Sequence, residues 1–235
     1  MFRYYRSGEA MRRSEINQAI ENAQSFFAAM NFRLPPWARW SPTQWHKKKE
    51  CDEIVDARLG WDLTDFGSGD FDKRGLLLFT IRNGITAVGK TGKPYAEKIM
   101  ITKELQETPM HFHWNKMEDI INRGGGNLIL ELYNSTPDGQ LSPEMVTVQV
   151  DGVTRRIDAG SAIRLTPGES ICLTPGLYHR FYGEKGQGAV LVGEVSMVND
   201  DSADNRFFEP VGRFPAINED TQPLYLLSTD YKSYV

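Results

Sequence analysis

Four histidines occur in the 235 residues, and three of them fall in two short segments with the composition of a metal site. The first segment is His111-Phe112-His113-Trp114-Asn115-Lys116-Met117-Glu118, and the second is Pro175-Gly176-Leu177-Tyr178-His179. In an extended strand, residues i and i+2 share a face, so His111 and His113 can present two imidazoles side by side. Glu118 follows a four-residue gap and returns a carboxylate from the start of the next strand, while His179 adds a third imidazole from a distant one. Three neutral imidazoles and one carboxylate suit a divalent transition ion such as Mn, Fe, Ni or Co. An octahedral ion held by four ligands keeps two positions for a substrate. A lone His-x-His carries much less, because two half-buried strand histidines give the same pattern. The fourth histidine, His46, stands in the wet run His46-Lys47-Lys48-Lys49 and is read as a surface residue.

Such ligands need a scaffold that brings distant strands together. From about Cys51 onward strand signals dominate. Leu76 to Ile81 is an apolar run closed by Asn83-Gly84, and Lys98 to Ile101 and Leu128 to Leu132 are further strands. Val146 to Val150, Asp151-Gly152 and Val153 to Ile157 form a strong hairpin signal. Ala162 to Leu165, Ser170 to Leu173, His179 to Tyr182 and Ala189 to Val195 complete the set. Many short strands separated by turns indicate an all-β sandwich or barrel, and the ligands meet only if the sheet closes. Gly124 to Gly126 lies between strands and reads as a turn, not as a phosphate-cradling loop.

The N-terminal part is helical. Ile16, Ala19, Ile20, Ala23, Phe26, Phe27 and Met30 make one stripe, with Ser14 as the expected N-cap and Pro35-Pro36 as the stop. A short helix is expected at Ser41-Pro42, with Trp45 packed inward. The expected division is a helical extension over residues 1–50, a barrel domain over 51–207 and a C-terminal tail over 208–235. Met11-Arg12-Arg13-Ser14 reads like a natural start, which makes the residues before it an extension.

Composition excludes several classes. At 40% hydrophobic and 25% charged residues, with a net charge of -4, the chain has globular values and no electrostatic footprint for nucleic acid. No segment approaches the roughly 20 apolar residues needed to span a membrane, and the charged N-terminus lacks an apolar signal core, so a cytoplasmic protein is expected. Cys51 and Cys172 make no disulfide framework, and Cys172, between Ile171 and Leu173, is expected to be a small core residue.

The order His-x-His-x4-Glu, then Arg123-Gly124-Gly125-Gly126, Gly168 and the Pro175-Gly176-x2-His179 turn resembles the two-part motif of the cupin superfamily. The fold this implies is an antiparallel β-barrel, jelly-roll-like, with a metal in its mouth. The glycine usual ahead of the first motif histidine falls on Leu105, and the asparagine usual after the last one is replaced at Gly183; neither position supplies a ligand. A closer likeness lies in Trp61 to Asp70, Lys93 to Lys98, Thr108 to Trp114, Asn199 to Asp201 and Asp204 to Phe207. These segments, in this order, resemble the D-lyxose isomerase family of cupin-type sugar isomerases. The resemblance implies a manganese-dependent aldose–ketose isomerase acting on D-lyxose and D-xylulose, with D-mannose and D-fructose as a further pair, and a homodimer. Co2+, Ni2+, Fe2+ and Zn2+ are the alternative ions.

The donor set fits that chemistry. Isomerising a 2-hydroxyaldehyde moves hydrogen between C1 and C2, and a divalent ion with two free positions can chelate O1 and O2 and stabilise the developing enediolate charge. Proton transfer needs an acid–base group within about 3 Å. Lys116 and Glu118 share a face if their segment is extended, which makes Lys116 a candidate proton carrier; a solvated loop lysine is the competing reading. Lys98, alternating onto the face of Met100, and Glu194, on the face of Val190 and Val192, are unusual inward charges that suit a substrate site. Asp204 and Arg206 occupy a polar loop that could hold sugar hydroxyls, or else form a surface salt bridge. Phe112 and Trp114 alternate away from the ligands. Two alternatives stand beside the isomerase: a cupin dioxygenase using the same ligands, and a non-catalytic sugar-binding cupin.

Overall fold

The computed structural model describes residues 10–85, 92–198, 201–212 and 215–235. Residues 1–9, which include most of the expected extension, and the pair Asn199-Asp200 lie outside the described residues. The helices are α1 (Arg13–Ala29), α2 (Pro42–Trp45), α3 (Asp52–Asp56), α4 (Asp201–Asp204) and α5 (Tyr231–Tyr234). The strands begin with β1 (Met11–Arg12), β2 (Gly60–Thr64), β3 (Leu76–Arg82), β4 (Tyr95–Thr102), β5 (Thr108–His113), β6 (Glu118–Gly125), β7 (Leu128–Asn134) and β8 (Val146–Val150). They continue with β9 (Val153–Ile157), β10 (Ala162–Leu165), β11 (Ser170–Leu173), β12 (Leu177–Gly183), β13 (Val190–Met197), β14 (Asn205–Phe207) and β15 (Ile217–Asn218).

Two antiparallel sheets face each other. One has the order β2-β3-β4-β13-β6-β11-β8-β9 and the other β10-β7-β12-β5-β14. Period-2 alternation sorts their side chains. Val146, Val148 and Val150 are buried while Thr147 and Gln149 are exposed, and Leu128, Leu130 and Leu132 are fully enclosed. The inward rows meet in one core with Met100, Ile120, Ile171 and Leu173. Asp151 and Gly152 both have positive φ, 50° and 78°, and close the expected β8–β9 hairpin. The architecture is that of a cupin-type antiparallel barrel, all-β with N-terminal helices, as the strand pattern and motif indicated.

Helix α1 lies on the outer face of the larger sheet. Its stripe Ile16, Ile20, Ala23 and Phe27 packs against Trp61, Phe79, Ile99 and Leu191. Each large side chain so enclosed contributes roughly 1.5–3 kcal/mol. The expected cap needs correction. The helix starts two residues earlier than a Ser14 cap implies, at Arg13 with Arg12 as the N-cap, and Glu15 reaches back to the Arg12 N–H at 3.0 Å. Ser14 sits within the first turn, where its N–H and hydroxyl donate to Asp220 of the C-terminal tail at 2.9 and 2.7 Å. Arg13 is 1% exposed and its guanidinium bonds Glu219 and Asp230, so the tail is pinned to the helix start. Ser41 caps α2 as expected, paired reciprocally with Gln44, and Trp45 points inward.

Cys172 also differs from expectation. Ile171 and Leu173 take the inward positions of β11, so alternation turns Cys172 to the outer face opposite Asp119, half-buried. Cys51 and Cys172 are both free. The two departures from the general cupin pattern have local reasons. Leu105 adopts φ 58°, the left-handed region that glycine occupies at little cost. At Gly183 a Cβ would lie 2.7 Å from the Lys103 carbonyl oxygen, so the close backbone approach leaves no room for an asparagine.

Candidate metal centre and active site

β5 carries His111 and His113 on one face, and its antiparallel partner β12 sets His179 directly opposite His111. The three rings are buried and their ligand nitrogens lie within 4.8 Å of one another. Glu118 opens β6 in the facing sheet, and its Oε1 stands 3.2 Å from both His113 Nε2 and His179 Nε2. The sequence-derived set of His111, His113, Glu118 and His179 therefore converges on one point.

The donors suit a divalent cation. His111 Nδ1 and His179 Nδ1 contact the carbonyls of Pro109 and Leu177 at 2.7 and 3.0 Å. A carbonyl can only accept, so each Nδ1 carries the proton and each Nε2 presents a lone pair. His179 Nε2 is buried without a hydrogen-bond partner among the described residues, which is costly unless a cation takes that lone pair. Burial, and then the neighbouring imidazoles of His179 and His113, hold His111 well below its usual pKa, in the neutral form a ligand requires. Burial opposes ionisation of Glu118, but the Lys116 ammonium beside it outweighs that and holds the carboxyl well below its usual range.

A charged chain extends from the ligands. Lys116 Nζ lies 2.6 Å from Glu118 Oε2 and 3.1 Å from Glu194 Oε1. Glu194 Oε1 also accepts from Ser196 Oγ at 3.0 Å and lies 3.2 Å from Lys98 Nζ. Lys98 and Glu194 pair directly across β4 and β13, which explains two inward charges on otherwise apolar strands. All four charged groups are buried, so the solvated-loop reading of Lys116 fails. His46 is exposed, as expected.

These residues line a cavity of about 280 Å³, at the small end of ligand pockets and suited to a monosaccharide-sized molecule. Asp204 and Arg206 stand elsewhere. Asp204 braces the turn before Glu118: its carboxylate accepts from the N–H groups of Asn115 and Lys116 at 2.9 and 3.1 Å, outside the cavity lining. Arg206 is exposed on β14 and pairs opposite Phe112, on the face turned away from the histidines. The polar loop expected there is a short strand, and its alternation sends Asn205 and Phe207 inward instead. Sequence reasoning missed Asn205, Phe207, Asp62, Thr64 and Thr108, all of which line the cavity. The i, i+2 spacing of Asp62 and Thr64 was a readable signal, but β14 is too short to announce its period.

A buried three-histidine cluster in a cupin-type barrel, with paired lysines and glutamates beside it, defines a sugar-isomerase type of centre once relatives are considered. The chain belongs to the D-lyxose isomerase family, whose model matches residues 11–231. It is 52% identical over 227 residues to the D-lyxose/D-mannose isomerase of Serratia proteamaculans, covering 96% of this chain and all of that protein. The D-lyxose/D-mannose isomerase of Escherichia coli O157:H7 is 49% identical over 226 residues, covering 95% and 100%. In fold, the chain resembles an Acinetobacter sp. DL28 L-ribose isomerase variant in complex with L-ribose, with a TM-score of 0.61 at 15% identity over 91% of this chain and all of that one. Cellulomonas parahominis L-ribose isomerase with L-psicose gives 0.59 at 18% identity, with the same coverage. The protein is an enzyme, a sugar isomerase.

Proposed function

We propose that this enzyme is a divalent-metal-dependent aldose–ketose isomerase that interconverts D-lyxose and D-xylulose, with D-mannose and D-fructose as a second pair. The observation that carries the reading is the convergence of His111, His113, His179 and Glu118 beside the buried Lys116–Glu194–Lys98 chain. The two relatives, both D-lyxose/D-mannose isomerases, support the sugars.

His111, His113, His179 and Glu118 would hold the ion. When bound, it supplies Lewis-acid stabilisation of negative charge on two vicinal sugar oxygens. The chain's own groups do the rest. Lys116 and Glu194, in hydrogen-bond contact, form a relay able to take a proton from C2 and return it at C1, with Lys98 holding Glu194 in place. Asp204 fixes the backbone of Lys116 and so aims its side chain. Phe66, Phe181, Phe207 and Met100 supply apolar wall that excludes water and strengthens these interactions.

The reading includes manganese as the resident ion, a homodimer, a cytoplasmic setting and the three-part division of the chain at 50/51 and 207/208. Family membership disfavours a dioxygenase or a purely sugar-binding role. The test is ketose formation from a panel of pentoses and hexoses by chelator-stripped enzyme reloaded with Mn2+, Co2+, Ni2+, Fe2+ or Zn2+. No ketose from D-lyxose or D-mannose with any ion refutes the proposal.

A further inference from the structure

The cavity wall is divided by charge. The rung His111–His179 and the groups Lys116, Glu118, Glu194 and Lys98 make one polar region. Met100, Leu78, Phe181 and Phe66 make an apolar one, bordered by Asp62 and Thr64 of β2. Thr108 interrupts this second region. It opens β5, pairs with Phe181 on β12 and is 4% exposed. Its Oγ1 is buried without a hydrogen-bond partner among the described residues, yet the side chain lines the cavity. A buried hydroxyl is stable only with a partner, so an unpaired one on a residue that lines the ligand space marks where a ligand can supply it.

Position says which part of the ligand. Thr108 precedes His111 by three residues on β5, but a β-bulge matches those three to the two that separate His179 from Phe181, so the advance along the sheet is about 7 Å at about 3.3 Å per residue. The reacting carbons lie at the histidines, so the group that meets Thr108 belongs to the far end of the sugar. We propose that Thr108 is a specificity-determining residue, its hydroxyl hydrogen-bonding a distal hydroxyl of the open-chain sugar, at C4 or C5 of a pentose. This rests on the isomerase reading of the same cavity. It places selection for the tail of the sugar on the β5–β12 wall, apart from the groups that move the proton.

Two readouts test it. The first compares D-lyxose with its 4-deoxy and 5-deoxy analogues. In the wild type one analogue should lose about tenfold in kcat/KM, the size of one hydrogen bond with a buried partner left unpaired. In Thr108→Val that gap should close, chiefly through a higher KM for D-lyxose, and Thr108→Ser, which keeps the hydroxyl, should restore it. The second readout is melting without sugar. Thr108→Val is nearly isosteric and removes an unpaired buried hydroxyl, so it should melt at or above the wild-type temperature. A Thr108→Val enzyme that keeps the wild-type preference, or loses equally on D-lyxose and both analogues, overturns the proposal. So does a variant that melts lower, because the hydroxyl would then have a partner within the chain. Absence of ketose from every sugar with the wild type would instead overturn the isomerase reading, and the melting comparison would still judge Thr108.

Discussion

Replacing Lys116 by methionine keeps the length of the side chain and removes its ammonium. Lys116 is 3% exposed, and its ammonium touches two carboxylates, at 2.6 Å on Glu118 and 3.1 Å on Glu194. Glu194 retains Lys98 and the Ser196 hydroxyl, whereas Glu118 is left with imidazoles alone. Removing one partner of a buried pair costs about 3–5 kcal/mol. For a chain of this size roughly 2–4 °C of melting temperature goes with each kcal/mol, so the metal-free variant should melt about 6–20 °C lower than metal-free wild type. Protonating Glu118 relieves part of that penalty, so the deficit should shrink as pH falls. A divalent ion at the imidazoles restores positive charge beside Glu118, and metal should therefore recover much of the loss. Catalysis should not recover. A general acid–base group contributes about 10²–10⁴-fold, and kcat should fall by that factor while metal content stays at the wild-type level. Calorimetry with and without metal, beside single-turnover ketose formation, measures both effects. A rate loss below about threefold, or an unchanged melting temperature in the metal-free protein, refutes the role given to Lys116.

Alanine at His111, His113 or His179 should strip the metal and abolish turnover while the far-ultraviolet signature of the barrel persists; elemental analysis showing full occupancy in all three variants counts against the centre. Glu118→Gln should weaken metal affinity and activity together, unlike Lys116→Met, and titration calorimetry with Mn2+ separates the two. The metal-free protein should lose stability on acidification, first as pH falls below the ordinary histidine value of 6.5 and again below the ordinary glutamate value of 4.5. Folded His111 and Glu118 both resist protonation, so the unfolded chain binds more protons in those ranges. Melting temperature against pH, with His111→Gln flattening the upper part, checks the sign. Leu105→Gly should raise the melting temperature by about 1–2 °C, because relief of the left-handed strain at φ 58° slightly exceeds the entropy a glycine adds to the unfolded chain.

The convergence of His111, His113, Glu118 and His179 was legible because strand geometry leaves few ways to arrange His-x-His and a returning carboxylate. The strands were legible for the same reason, as Val146, Val148 and Val150 show. Long-range partners were less so. Lys98 and Glu194 stood out as inward charges, but their direct pairing depends on a register between β4 and β13 that neither strand displays alone. Arg206 misled because its strand has three residues, too few for alternation to declare itself, and only pairing with β5 fixes which side chains turn inward. The helix cap failed for a similar reason. The partner of Ser14 is Asp220, contributed by a segment with no periodic signal.

The clasp on Arg13 has a bearing on how the protein is made. Its carboxylate partners follow it by 206 and 217 positions, after the last strand of either large sheet. During translation α1 and the sheets can assemble before those carboxylates leave the ribosome, with the Arg13 guanidinium still hydrated. Enclosing it is then one of the closing steps of folding, and closure over so long a loop adds only about 0.6 kcal/mol per doubling of its length. A chain cut short before Glu219 would own every strand of the barrel yet leave a bare cation at the edge of an apolar seat. Limited proteolysis should therefore cut at α1 sooner in a chain truncated before Glu219 than in the full chain, so that a break at one end is felt at the other.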